Sequence, residues 1–222
     1  PNKSLAYVGA SAFSHKGGLH VSAVKKDPKT YEHIEPELVG NNRNIVVSDQ
    51  AGKSNILARL EGYKIKINPK DPKVQKILEE VKDREFSGYS YDGADASFEL
   101  LANRLLGNVP DYLKVESYSV TVEKSKKLKT NAEVVFLIDG KKINCIGSGN
   151  GPVNALDNAI RENFSKVEKY YNFFSDLKLL DYKVRILNTG TEATTRVLIE
   201  SSDKSGKSWF TIGVSPNIIE AS

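Results

Sequence analysis

The chain has 222 residues, 39% hydrophobic and 27% charged. That is enough to bury a core in one or two globular domains, and it fits neither a disordered nor a membrane protein. Thirty-two Lys plus Arg against 28 Asp plus Glu leave a net charge of +4, too mild to imply nucleic acid. No apolar run approaches the roughly 20 residues of a membrane span, so no membrane partner is expected. The chain starts at Pro1 and has no methionine, which predicts a removed leader or a piece of a longer chain. A lone cysteine, Cys145, cannot close an internal disulfide, and a reducing cytoplasm is the expected location. Its apolar neighbours, Ile143 and Ile146, predict a buried structural thiol.

Three zones separate by pattern. Zone one, residues 1–63, holds His15, His20 and His33. A short helix is expected from Leu19 to Lys26, and a strand from Asn44 to Ser48. A further helix runs through Ile56, Leu57 and Leu60, capped by Ser48 or Asp49 and ended by Gly62. Zone two, residues 64–110, reads as a helical hairpin connector. Asp71 and Pro72 form a cap and first turn, and Val74, Ile77, Leu78 and Val81 recur at helical spacing. A second helix spans Ala94 to Leu106, closed by Gly107 and Pro110.

Zone three, residues 111–222, changes period. Strands are expected at Val115–Val122, Ala132–Ile138 and Ile143–Ile146, with Asp139-Gly140 as a hairpin turn. The lysines 124, 126, 127 and 129 beside the first hairpin read as a solvated turn. A Gly-rich stretch, GSGNGP at 147–152, leads into an amphipathic helix from Val153 to Phe164. Strands follow at Tyr182–Leu187, Thr194–Glu200 and Ser208–Val214, and a helix begins after Ser215. The junctions IGSGNGPVNA (146–155) and IGVSPNIIEA (212–221) align. The zone is therefore an internal βββα duplication, and the fold class is α+β: small helical subdomains followed by a duplicated βββα domain.

Two features invite a chemical reading. The 147–152 loop has a phosphate-cradle composition but no Walker lysine. It reads either as a tight connection or as a small-ligand loop. His15 and His20 flank Gly17 and Gly18 at a spacing that fits no standard zinc pattern. One of them at an interface, or one in proton transfer beside Tyr31 or Glu32, are the readings left open.

The stretches SAFSHKGGLHVSAV (11–24), TYEHI (30–34), PELVGN (36–41) and SDQAGKSNI (48–56) resemble the region after the catalytic barrel in the 2-isopropylmalate synthase and citramalate synthase family. GYSYDGADASFELL (88–101) resembles the citramalate branch most. GNGPVNALDNAI (149–160) and DYKVRIL (181–187) resemble the family's C-terminal regulatory domain, which is an allosteric dimerisation domain.

The resemblance implies a parent that condenses acetyl-CoA with a 2-oxo acid: pyruvate in the citramalate branch toward isoleucine, 2-oxoisovalerate in the leucine branch. It places the divalent metal in the barrel, leaves this portion without a cofactor, and implies that the portion alone is inactive. Residues 1–63 would reach the partner subunit's active site, with His20 in proton transfer, Tyr31 positioning the reacting groups and His15 second to His20. Residues 64–110 would connect, and residues 111–222 would form the regulatory domain of a homodimer. An isoleucine or leucine effector would meet Leu179, Tyr182, Ile186, Thr191, Thr195, Pro216 and Ile218, with its carboxylate at the amides of the last helix start. Those apolar positions read equally as core or dimer interface, and a dimerisation scaffold without effector binding is the rival.

Overall fold

The computed structural model describes residues 2, 5–9, 11–15, 18–45, 52–110, 112–124, 128–164, 167, 171 and 176–222. The chain forms two compact units, Pro1–Asn108 and Val109–Ser222.

In the first unit, strand β1 (Ser14–His15) pairs in parallel with β2 (Asn44–Ile45). Helix α1 (Gly18–Lys26) buries Val21 and Val24. A 3-10 turn at Pro28–Thr30 follows, opened by the Asp27 carboxylate accepting from the Lys29 amide. A second, Pro36–Val39, is closed by Gly40 in the left-handed region. Helix α2 (Lys53–Gly62) starts later than its sequence suggests. Its cap is Gly52, in extended backbone and without a side-chain bond, rather than Ser48 or Asp49, which lie outside the described residues. Helix α3 (Pro72–Phe86) has the expected cap, Asp71 accepting from the Lys73 amide at 2.8 Å, and buries Val74, Ile77, Leu78 and Val81. Helix α4 (Asp95–Leu106) ends on Gly107 at φ 78°. Helix α2 packs on α3 and α3 on α4, so the helical pair of residues 64–110 shares a unit with α2.

One charged side chain ties these helices together. Arg59 of α2 is buried; its guanidinium donates to the Tyr91 carbonyl at 3.0 Å and to Asp95 Oδ1 at 2.5 Å. It also lies 4.9 Å over the Phe98 ring. Three satisfied contacts are what allow a charge to be held in such a place. Burial also pushes the nearby Tyr91 hydroxyl up to about 12.

The second unit contains two three-stranded antiparallel sheets. Strands β3 (Lys114–Lys124), β4 (Leu128–Ile138) and β5 (Lys141–Gly149) form the first in that order. Asp139 and Gly140, both at positive φ, make the tight turn between β4 and β5. Helix α5 (Pro152–Phe164) covers one face. The core between them is Ala132, Val134, Phe136, Ile138, Cys145, Ala155, Ala159 and Phe164; Phe136 and Phe164 meet edge to face at 5.0 Å. Cys145 is buried and not disulfide-bonded, as its neighbours predict. Of the lysines by the first hairpin, 126 and 127 lie outside the described residues.

Strands β6 (Lys178–Ile186), β7 (Thr195–Ser202) and β8 (Ser208–Ser215) form the second sheet, followed by α6 (Ile218–Ala221). The duplication extends to details of register. Gly147 sits opposite Ala132, and Gly213 opposite Val197. Tyr118 and Tyr182 occupy matching places, as do Thr130 and Thr195. The ladder slips once in the first strand of each sheet, between Val115 and Ser117 and between Leu179 and Asp181.

The two glycines explain how helix and sheet close. A Cβ on Gly147 would lie 2.6 Å from Ala159 Cα, and one on Gly213 would lie 2.9 Å from the Ala221 carbonyl carbon. Only a residue without a side chain lets each helix seat that near its strand.

Candidate functional site

The first candidate lies in the N-terminal unit. His15 is on β1, His20 on α1, and Tyr31 and Glu32 follow the Pro28–Thr30 turn. The structure pairs them in two rungs. The rings of His20 and Tyr31 lie 4.3 Å apart, tilted by 32°, and both side chains face solvent. His15 Nε2 donates to Glu32 Oε1 at 2.8 Å, well inside the unit.

Arg43, just before β2, completes the inner cluster. Its Nε donates to Glu32 Oε1 at 2.8 Å and its second guanidinium nitrogen to Oε2 at 2.6 Å. The Glu32 side chain is only 3% exposed. Its carboxyl is held below the usual carboxylate range, chiefly by the Arg43 bonds, with His15 adding to them and burial opposing. Glu32 is thus an anion at neutral pH, and it fixes the proton of His15 on Nε2.

Two further contacts frame this region. Asn41 Nδ2 donates to the carbonyls of Tyr7 at 2.7 Å and Gly9 at 2.8 Å, holding a turn in which Tyr7 has φ 65°. The Tyr7 hydroxyl reaches His33 Nε2 at 3.2 Å. An open depression of about 400 Å³ beside the Glu32–Arg43 pair is lined by Lys29, His33 and Leu38 among others. Arg43 was not legible as part of the site: 11 residues separate it from Glu32, and no local pattern announces a tertiary ion pair.

The second candidate is the helix-side face of the second sheet. The register puts Leu179, Tyr182 and Ile186 on that face, with Thr195 directly opposite Ile186 and Ser215 opposite Thr195 on the other side. Ile186 is 67% and Leu179 50% exposed. Ile186, Thr195 and the start of the Pro216–Ile218 segment thus gather at one end, Tyr182 lies two rows away, and Leu179 lies beyond the slip in β6. Thr191 stands off the sheet, in the exposed β6–β7 loop. Val184, absent from the expected set, falls between Tyr182 and Ile186 on the same face and is also exposed.

Two of the amides at the start of α6, expected to meet a carboxylate, already have partners. Asn217 Oδ1 accepts from Ile219 at 2.9 Å, and Ser215 Oγ accepts from Asn217 at 3.0 Å. Ser215 in turn donates to Glu220 at 2.6 Å. Tyr182 donates its hydroxyl proton to Ser222 Oγ at 2.6 Å, and Ser222 donates to the Ile218 carbonyl.

The Gly-rich 147–152 loop is a tight connection. A Cβ on Gly149 would lie 2.7 Å from the Ala155 amide nitrogen, and Asn150 N–H donates to Asn154 Oδ1 at 3.1 Å. Among the described residues no group of three His, Cys, Asp or Glu side chains could hold a metal ion. No described helix is long and apolar enough to cross a membrane.

Two family models match the chain in succession, and the boundary between them falls inside the first unit, before α4. Residues 7–87 match the homocitrate synthase post-HMGL domain-like family, and residues 92–222 match the LeuA allosteric (dimerisation) domain. An (R)-citramalate synthase of Geobacter sulfurreducens is 50% identical over 227 residues, covering 100% of this chain and 42% of that protein. One of Aquifex aeolicus is 48% identical over 225 residues, covering 99% and 42%. One of Synechocystis is 44% identical over 230 residues, covering 100% and 41%. The chain therefore spans about two fifths of the length of these curated relatives. With its duplicated βββα unit and the matched segment before it, the chain belongs to the LeuA allosteric (dimerisation) domain family.

Proposed function

We propose that this chain is the portion after the barrel of an (R)-citramalate synthase that joins acetyl-CoA to pyruvate on the route to isoleucine. What carries the reading is the identity of 50% across the whole chain to a citramalate synthase of which it covers 42%. The order of the two family segments supports it. Residues 1–63 reach over the partner subunit's active site in a homodimer, residues 64–110 connect, and residues 111–222 regulate. His20 moves a proton and Tyr31 positions the reacting groups. The barrel supplies the divalent metal and most of the chemistry, so this portion alone does not synthesise product. The parent works in the cytoplasm.

A branched-chain amino acid binds the helix-side face of the second sheet, its side chain against Leu179, Tyr182 and Ile186, near Thr191, Thr195, Pro216 and Ile218. Inhibition is then a coupling free energy between that face and the barrel. The exposure of Ile186 and Leu179 favours a surface that something apolar covers, and a second protomer without an effector is the rival occupant.

The full-length enzyme should turn over pyruvate in preference to 2-oxoisovalerate; the reverse preference assigns it to the isopropylmalate branch. Calorimetric titration of this chain with isoleucine and leucine should give heat with one of them. No heat with either, from a chain that sediments as a dimer, leaves a dimerisation scaffold.

A further inference from the structure

His20 and Tyr31 are both solvated, and a stacked pair of exposed rings does not hold itself in place. Their separation follows the spacing of the two backbone segments that carry them, and any looseness there adds to the rotamer freedom of the rings. Catalytic groups work only when held to within about 0.5 Å of a productive geometry. Something else in the unit must fix the two segments that carry these rings.

The inner rung joins the same two segments as the outer one. His15 lies five residues before His20, and Glu32 directly follows Tyr31. Glu32 takes three N–H donors: His15 Nε2 at 2.8 Å, Arg43 Nε at 2.8 Å and the second Arg43 nitrogen at 2.6 Å. Arg43 immediately precedes Asn44, whose amide donates to the Phe13 carbonyl at 2.9 Å and whose strand pairs with the strand of His15. The three side chains and the short β1–β2 ladder thus close a triangle around the Tyr31–Glu32 backbone.

We propose that the buried His15–Glu32–Arg43 cluster is the positioning device for the His20–Tyr31 pair, with His15 acting through Glu32 and touching no substrate. This rests on the reading of His20 and Tyr31 as groups that meet the reacting atoms. His15 suits the role because its Nε2 proton is committed to a carboxylate that is 3% exposed, and its own side chain is 11% exposed. Arg43 suits it because its planar fork fixes a carboxylate in direction as well as distance.

The test uses the full-length enzyme. His15→Leu removes the donor, whereas His15→Gln keeps an N–H in reach of Glu32. His15→Leu should lower kcat about 100-fold, the scale of a misplacement near 1 Å, with KM for both substrates within about two-fold. His15→Gln should recover kcat to within about three-fold of the parent, since it restores the hydrogen bond. Unchanged kcat in His15→Leu overturns the proposal. So does a His15→Gln enzyme as slow as His15→Leu, because His15 would then act chemically. If His15→Leu does not fold, Arg43→Lys carries the same test, keeping the charge but losing the two-pronged bond.

A second readout needs no turnover. In this 222-residue chain the His20 ring protons should carry a shift from the Tyr31 ring, defined by its loss in Tyr31→Leu. His15→Leu should move those resonances toward the Tyr31→Leu position while core methyl signals of Ile77 and Val81 stay put; unmoved His20 resonances overturn the proposal. Two controls separate the failures. If His20→Ala and Tyr31→Phe leave kcat unchanged, the underlying reading of the site is wrong. If they lower it and His15→Leu does not, only the positioning role is wrong.

Discussion

Replacing Gly147 by alanine tests how the regulatory repeat is closed. The added methyl would sit 2.6 Å from Ala159 Cα, 2.9 Å from the Ala155 carbonyl oxygen and closer still to the Ala159 amide nitrogen. Carbon atoms pack best at about 3.5–4.0 Å, so α5 would have to retreat by about 1 Å. The atoms in the way are helix backbone, which cannot rotate aside as a side-chain tip can. Retreat loosens the layer of Ala132, Val134, Cys145, Ala155 and Phe164 that α5 covers. Overpacking of this kind costs up to about 3 kcal/mol, and we expect the upper end. For a unit of 114 residues, Val109–Ser222, that corresponds to a Tm lower by roughly 10–15 °C. Differential scanning calorimetry reads it directly, with Gly151→Ala as control. A Cβ at Gly151 meets nothing within 4 Å, and its change should stay within about 0.5 kcal/mol. A Gly147→Ala transition within a few degrees of the parent would refute the close-approach argument, in both repeats.

Two further expectations concern the N-terminal unit. Arg59→Leu should destabilise it by about 2–3 kcal/mol, by leaving the Tyr91 carbonyl and Asp95 without their donor. Asp95→Ala should cost at least as much, because it strips the counter-ion from a guanidinium that is only 7% exposed, whereas the Asp95 carboxylate left by Arg59→Leu is 61% exposed and can be hydrated. Urea titrations of both variants check the order, and a smaller effect at Asp95 would contradict it. Glu32 has its carboxyl lowered from 4.5 by Arg43 and His15, so its contribution is present above about that pH and is lost as pH falls through the lower folded value. The urea midpoint should therefore drop on acidification below pH 4.5, and Glu32→Gln should flatten that acid limb. A variant with the parental acid limb would show that Glu32 is not its source.

Elements set by local chemistry were readable in advance. Asp71-Pro72 with four apolar residues at helical spacing leaves few alternatives to α3, and Asp139-Gly140 between alternating strands dictates a two-residue turn. The matching junctions at 146–155 and 212–221 exposed the repeat, and the ladder shows why they match: one glycine in each must meet a helix. What stayed hidden depends on contacts distant in sequence. Arg59 looks like a surface residue until Tyr91 and Asp95, some 30 residues on, supply its partners. Arg43 likewise acquires meaning only through Glu32. Leu179, Tyr182 and Ile186 lie on β6, with Val184 between them on the same face, a placement that only the register reveals, and the internal partners of the α6 amides depend on side-chain geometry that no motif encodes.

The slips in β3 and β6 set a limit on how the two sheets can grow. Both are outer strands, and both lose step near their beginning, at Glu116 and Leu180. An incoming strand laid along either margin would find donors and acceptors out of phase after a few residues. Along those margins each sheet is therefore self-limiting at three strands. A molecule that exposes Val115, Tyr118 and Val122 on one edge strand and Leu179, Val184 and Ile186 on the other is thereby guarded against fibre-like extension there, and is left to associate through the faces of its sheets.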